Sequence, residues 1–249
     1  MAEIIDFKAG DFSFLVAPGG PFSAGVRANK GFALHRARFA RPVPMLDGFA
    51  RIKQHLTALG RPVTALAACE LRSPRPMTPQ EFQGFNRDYL KTLHEWGCRE
   101  GEINAPARSN IAPITEVPPD SSFFAFTYTV PEANASGDYL ISGLPEIKAG
   151  AAGSDRTFGG RDVSLKGFAA KARYVMDGLR SRVDALGCDW NGITASQVYT
   201  VHDFRPVLEQ LFAELRISQI GVAWYPGWPP VNDMEFEVDV RRVRTELVI

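Results

Sequence analysis

One order of elements occurs twice along the chain, and this repeat limits the possible folds more than any other feature. In the first half the pattern predicts a strand, a helix stopped by Gly60, a second strand, a second helix, and two strands around Pro118-Pro119. From Tyr139 the order returns: a strand, a long helix ending on Gly187, a strand, a shorter helix, and two strands around Pro229-Pro230. Any α+β protein can show such an order by accident, but two Pro-Pro turns, each leading into an alternating strand, favour internal duplication. The boundary falls in the small, polar stretch 133–137, giving domains 1–132 and 138–249.

The local signals behind this order are specific. Residues 12–16 and the Phe-, Val- and Ala-rich stretch 22–39 read as strands. Leu46, Phe49, Ile52, Leu56 and Leu59 recur at intervals of three and four, which makes one helical stripe. Thr78-Pro79-Gln80-Glu81 has the form of a capping box with proline at the first helical position. The helix it opens would bury Phe82, Phe85, Tyr89, Leu93 and Trp96. Strands follow at 63–71, 109–115 and 123–130. In the second half, strands are expected at 139–141, 193–201, 217–224 and 234–243, helices at 165–186 and 203–215, and a glycine-rich loop at 149–160. Phe168, Ala172, Val175, Leu179, Val183 and Leu186 share one side of the long helix.

Charge and cysteine content narrow the function. The 249 residues carry 28 basic and 28 acidic side chains, so no general pull toward nucleic acid follows. The first residues lack a signal-peptide pattern, and no run of about 18 apolar residues is free of charge. The expectation is a soluble, cytoplasmic protein that engages neither membrane nor nucleic acid. Cys69, Cys98 and Cys188 form no pairs, and His35, His55, His94 and His202 show no ligand spacing, so neither a metal nor a cofactor is expected.

Two stretches carry chemistry. Arg108 follows Pro106 at the lip of a strand, where a guanidinium is a bidentate clamp for a carboxylate. Glu235, Glu237 and Asp239 alternate with Met234, Phe236, Val238 and Val240. Such a row is either the wet face of a sheet or, inside a cleft, a set of like charges that raises at least one pKa into the range of proton transfer. Trp224, Tyr225 and Trp228 suit a flat substrate or a subunit interface equally well. Cys188 reads as structural and His202 as a turn residue.

These residues resemble the RidA/YjgF (UK114) imine deaminases across nearly the whole chain, taken twice. Gly20-Pro21-Phe22-Ser23-Ala24-Gly25-Val26 resembles the family's G-P-Y-x-x-G-V strand, with Phe22 in place of the usual tyrosine. Phe85-Asn86-Arg87-Asp88-Tyr89 is similar to its V-N-x-x-Y helix. Pro106-Ala107-Arg108-Ser109 matches the P-A-R-S that carries its carboxylate-binding arginine, and Asn110 stands where many members have cysteine. Ile141-Ser142-Gly143 matches its T-S-G. The strand from Met234 to Val240 looks like its I-E-I-E-A-I-A, which puts Glu237 at the glutamate thought to handle water. The departures mean that the duplication has either divided the family's site between the halves or replaced it: Ile220 or a neighbour stands at the arginine position of the second half and Leu208 at its asparagine position. In the first half, Phe126 stands at about the glutamate position and His35-Arg36 at about the Ser-Gly position.

The resemblance implies two tandem RidA-like, chorismate-mutase-like domains, each a mixed sheet with two helices packed on one face, and subunits closed into a homotrimer. It implies a cofactor-free hydrolytic deaminase acting on an enamine or imine next to a carboxylate. Arg108 and Glu237 are the expected catalytic pair, with Asn86, Phe22, Ser142 and Gly143 in substrate binding. His35 and Arg36 would add a second cation suited to a diacid. The long duplicated chain looks like the branch acting on 2-aminomuconate and its 5-chloro analogue in aromatic catabolism. The alternatives are a general 2-iminoacid hydrolase and a non-catalytic carboxylate-binding regulator.

Overall fold

The computed structural model describes residues 2–148, 150–151 and 153–249, with only the backbone of Ser154 and Asp155. The first half contributes strands β1 (Ile4–Phe7), β2 (Phe12–Val16), β3 (Ser23–Ala28), β4 (Phe32–Pro44), β5 (Leu66–Arg72), β6 (Arg99–Glu100), β7 (Ile103–Asn104), β8 (Ala107–Pro113) and β9 (Ser122–Pro131). Helix α1 (Met45–Ala58) lies between β4 and β5, and α2 (Pro79–Glu95) between β5 and β6. The second half contributes β10 (Tyr139–Pro145), α3 (Leu165–Ala185), β11 (Ala195–Tyr199), a single helical turn α4 (Arg205–Val207), β12 (Ala223–Tyr225), β13 (Gly227–Trp228), β14 (Glu237–Arg242) and β15 (Thr245–Val248).

Both halves build the same four-stranded unit. In the first half β8, β5, β9 and β4 lie side by side, with β5 and β8 parallel and the other pairs antiparallel. In the second, β12, β11, β14 and β10 repeat that order and those directions. The halves also exchange edges, so the units do not separate cleanly at 133–137. Strand β3 pairs with β10 and brings β1 and β2 into the second-half sheet. Strands β13 and β15 close the two edges of the first-half sheet. The expected linker is a packed turn: Ala135 is buried, its carbonyl accepts from the Gly31 N–H, and Gly137 takes a positive φ of 79°.

The four layers follow from where apolar side chains fall. Phe49, Ile52 and Leu56 of α1 and Tyr89 and Leu93 of α2 bury against Ala37, Cys69, Phe123 and Phe126 on the outer face of one sheet. Phe168, Val175, Leu179 and Val183 of α3 bury against Ile141, Val238 and Val240 on the outer face of the other. The capping box is formed: Thr78 Oγ1 accepts from the Glu81 N–H, and Glu81 accepts from the Thr78 N–H. Between the sheets lies a small apolar cluster of Phe12, Phe14, Val26, Leu34, Ala68, Ala107 and Leu140.

Several boundaries differ from expectation for local reasons. The stretch 22–39 breaks into β3 and β4 because Gly31, at φ 87°, turns the chain. The helix expected at 203–215 is the turn α4 followed by a π-helical turn, Leu208–Phe212. Ile217–Ile220 is a 3-10 turn, so β12 starts only at Ala223. In the loop expected at 149–160, Ala149 and Ala152 lie outside the described residues, and Gly153–Arg156 forms a 3-10 turn. No described helix is long and apolar enough to cross a membrane.

Candidate active site

The face of β14 carrying Glu237, Asp239 and Arg241 is buried against the opposite sheet, not wet. Apolar packing fails there, so the charges pair. Arg36 grips Glu70 with two hydrogen bonds of 2.6 and 2.8 Å and reaches Glu246 at 3.1 Å. Gln197 donates to Glu70 at 3.1 Å and to Asp239 at 3.2 Å, joining the sheets. Tyr199 Oη donates to Asp239 at 2.6 Å, and Arg241 donates to Glu246 at 2.8 Å. Burial alone would raise the Glu70 carboxyl, but the Arg36 guanidinium outweighs it and holds the group well below the ordinary carboxylate range.

Beside this network the sheets part to leave a cleft of about 540 Å³, lined from both halves by residues including Phe22, Phe82, Arg108, Asn110, Ser142, Gly143, Arg182, Met234 and Glu237. Arg108, on β8, is held on several sides. Its guanidinium donates to Asn86 Oδ1 of α2 at 2.8 Å and lies 4.8 Å from the Phe22 ring, 5.0 Å from Tyr89 and 5.3 Å from Phe82. Its backbone N–H donates to Ser142 Oγ at 3.1 Å, and that hydroxyl donates to the Ser23 carbonyl at 2.9 Å. These contacts fix the guanidinium through a neutral amide and aromatic rings, leaving its charge uncompensated by a close carboxylate among the described residues.

Glu237 stands at the start of β14, with a relative exposure of 3%. Its Oε2 has no hydrogen-bond partner among the described residues, and Oε1 lies against Gly143, where a β-carbon would collide with it. Strand β10 shifts register between Ile141 and Leu144, a bulge that aims the Ser142-Gly143 backbone into the cleft. Burial, then the charges of Asp239 and Glu146, push the Glu237 carboxyl far above the ordinary carboxylate range, against the pull of Arg108 and Arg72. A buried carboxylic acid held neutral can donate a proton. Ser109 ties the cleft to the network: its hydroxyl donates to Asp239 at 2.8 Å and accepts from the Gly143 N–H at 3.2 Å. Glu146 accepts from the Glu235 and Phe236 N–H groups at 2.7 and 3.1 Å, anchoring the chain just before Glu237.

The cleft therefore gathers Arg108, Phe22, Ser142, Gly143 and Glu237, with Asn86 outside its lining as the partner of the Arg108 guanidinium, and leaves out His35 and Arg36. His35 sits on β4, its ring 6.0 Å from Tyr128, and Arg36 is consumed by the ion network. Strand register also refines the comparison of the halves. Cys69 pairs with Arg108 and Phe126, whereas Val198 pairs with Trp224 and Val238. Trp224, not Ile220, thus stands at the place of Arg108, and Ala125, one residue before Phe126, at the place of Glu237. Trp224, Tyr225 and Trp228 do not line the cleft; they meet Phe204, Phe124 and His202 edge to face.

Of the lining residues, Asn110 stood out in the sequence only as a replacement for a family cysteine, and Arg182 belonged to no motif. Asn110 is 3% exposed; its Oδ1 accepts from Ser73 Oγ at 3.0 Å and its Nδ2 has no partner among the described residues. Arg182 lies in the last turn of α3, three residues after Leu179 and four before Leu186, so a cation at the flank of a buried stripe was the available signal.

The family model described as 2-aminomuconate deaminase CnbZ matches residues 4–247. The 2-amino-5-chloromuconate deaminase of Comamonas testosteroni is 36% identical over 252 residues, covering the whole of both chains. Among solved structures, the YjgF gene product of E. coli aligns with a TM-score of 0.33 at 20% identity, covering 44% of this chain and 82% of its own. A chorismatase aligns at 0.48 and 13% identity, covering 94% and 77%.

Proposed function

This chain belongs to the 2-aminomuconate deaminase family, and from that premise we propose that it is a cofactor-free hydrolytic deaminase of 2-aminomuconate or its 5-chloro analogue, acting in aromatic catabolism. The observation that carries this reading is the pairing, in one cleft, of a guanidinium free for a carboxylate with a buried carboxylic acid free for a proton. Arg108 binds the carboxylate beside the amino-bearing carbon. Glu237 gives its proton to the carbon end of the conjugated enamine, and the C–N bond becomes that of an iminium. The carboxylate left behind takes a proton from water as the water oxygen bonds to the iminium carbon, whose C=N π pair moves to nitrogen, and the acid is restored. The resulting carbinolamine passes its hydroxyl proton to nitrogen, the C–N bond breaks, and ammonia leaves a keto acid.

Positioning falls to neighbouring groups. Asn86 holds the Arg108 guanidinium and Ser142 its backbone, while the free Nδ2 of Asn110 offers a hydrogen bond to oxygen on the substrate. Phe22 and Phe82 supply apolar walls for a planar diene. The proposed assembly is a cytoplasmic homotrimer, for which light scattering should return three chains of 27.4 kDa.

Ammonia release on adding 2-aminomuconate tests the activity. Turnover in the wild-type protein, with kcat/KM reduced by about a hundredfold or more in Arg108→Ala, is expected for a charge-assisted contact to the substrate. No release from any enamine acid would reduce the protein to a binding module.

A further inference from the structure

The guanidinium of Arg182, half-buried, enters the cleft from the opposite half to Arg108, and no acid among the described residues pairs with it. Three other arginines of the interior sit on acids, Arg36 on Glu70 at 2.6 Å, Arg61 on Asp11 at 2.6 Å and Arg241 on Glu246 at 2.8 Å, and buried Arg72, which has no ion pair among the described residues, lies 4.0 Å over the Phe124 ring. Arg182 has only the Ser142 carbonyl, at 3.5 Å, and no ion-pair partner among the described residues. Burial lowers its pKa to about 10, against the pull of Glu237, so it remains charged at neutral pH. Leaving a cation partly desolvated costs free energy that a bound anion would offset.

Charge in the cleft adds up in the same direction. Arg108 and Arg182 contribute two positive charges, each close enough to Glu237 to act on its carboxyl. With Glu237 protonated, the lining carries an excess of two positive charges before Arg156 is counted. Arg156 also lines the cleft but spends itself on the Asn232 carbonyl at 2.6 Å. One carboxylate on Arg108 leaves Arg182 unanswered.

We propose that Arg182 is the second carboxylate clamp of this cleft and makes it selective for dicarboxylates over monocarboxylates of the same length. The assignment deepens the deaminase reading and rests on it for the reaction, though not for binding. Arg108 takes the carboxylate beside nitrogen, Arg182 the one at the far end, and Glu237 lies between their fields. This gives the second cation to α3 and not to the β4 pair His35 and Arg36.

Two unreactive ligands separate the effect from catalysis. Muconate and sorbate share a six-carbon diene and differ in one carboxylate. Calorimetry on the wild-type protein should show muconate binding about ten- to a hundredfold more tightly, the scale of one charge-assisted contact. Arg182→Met should bring muconate down to the level of sorbate while sorbate stays within about threefold, and Arg182→Lys should restore part of the preference. Thermal melts matching wild type establish that the variants are folded. A muconate preference that survives in Arg182→Met, or none in the wild-type protein, overturns the clamp. Ammonia assays with 2-aminomuconate report separately on the deaminase reading: no turnover alongside a lost muconate preference refutes the enzyme and upholds the clamp.

Discussion

Replacing Glu237 with Gln is the sharpest test of the proposed chemistry, because the substitution keeps the shape of a side chain at 3% exposure and removes only its proton. General acid–base groups contribute about 10²–10⁴ in rate, so kcat should fall by that factor, about 2.7 to 5.5 kcal/mol in activation free energy. KM should change little, since Arg108 and Arg182 remain. Stability should move the other way. In the folded protein the Glu237 pKa lies above its unfolded value, so the stability it contributes is fully present below that unfolded value and is lost as pH rises through the folded one. The Gln variant escapes that loss. Urea melts at pH 5 and pH 8 should therefore show the variant gaining on the wild type as pH rises, by about 1.4 kcal/mol per unit over which the two pKa values differ. The wild-type kcat/KM should decline on the alkaline side as the carboxyl ionises. Retention of kcat within about threefold, or a stability difference indifferent to pH, refutes the assignment of Glu237 as a buried acid.

Gly143→Ala should act through the same carboxyl, because the added methyl collides with Glu237 Oε1; kcat falls in ammonia assays while circular dichroism stays native. Arg36→Met should cost about 3–5 kcal/mol in urea unfolding by stranding the Glu70 carboxylate, in contrast to Arg108→Ala, which should disturb activity far more than stability. Glu70 has the opposite pH sign to Glu237. Its folded pKa is depressed, so its contribution is present above its ordinary value of 4.5 and lost as pH falls below it. Acid titration of the wild-type protein against Glu70→Gln should show this loss only in the wild type.

Much of the fold was legible because it is written in short-range signals. The stripe of α1, the capping box of α2 and the apolar side of α3 each specify an element without reference to the rest of the chain. Arg108, Asn86 and Glu237 were nameable because motifs carried them, and the structure brings Arg108 and Glu237 into one cleft with Asn86 bonded to the Arg108 guanidinium. What could not be read is pairing between distant strands. Nothing local says that β3 joins β10 or that β15 runs beside β4, and these exchanges decide which half faces which. For the same reason Arg36 looked available. Its partner Glu70 is 34 residues away, and Gln197 and Glu246 lie in the other half. Arg182 was hidden by the converse effect, since a cation on a helix flank is ordinarily solvated.

The repeat explains why one cleft and one closed network lie side by side. Strand register puts Trp224 at the place of Arg108, Ala125 at that of Glu237, and Tyr199 at that of Glu70. The second site that the repeat would form thus lacks both groups, the clamp in the second half and the acid in the first, and the space is filled by Arg72 stacked 4.0 Å over Phe124 and 5.1 Å from Tyr225. Filling it has a consequence for the open cleft. Asp239 belongs to the closed network through Tyr199 and Gln197, yet its charge is the largest of the acidic influences on Glu237. Ser109 bonds both Asp239 and the Gly143 N–H, so the orientation of that network is transmitted to the wall against which Glu237 rests. Burial comes first in holding the Glu237 carboxyl above the ordinary carboxylate range, and the charge of Asp239, held by the network of the filled copy, adds to it.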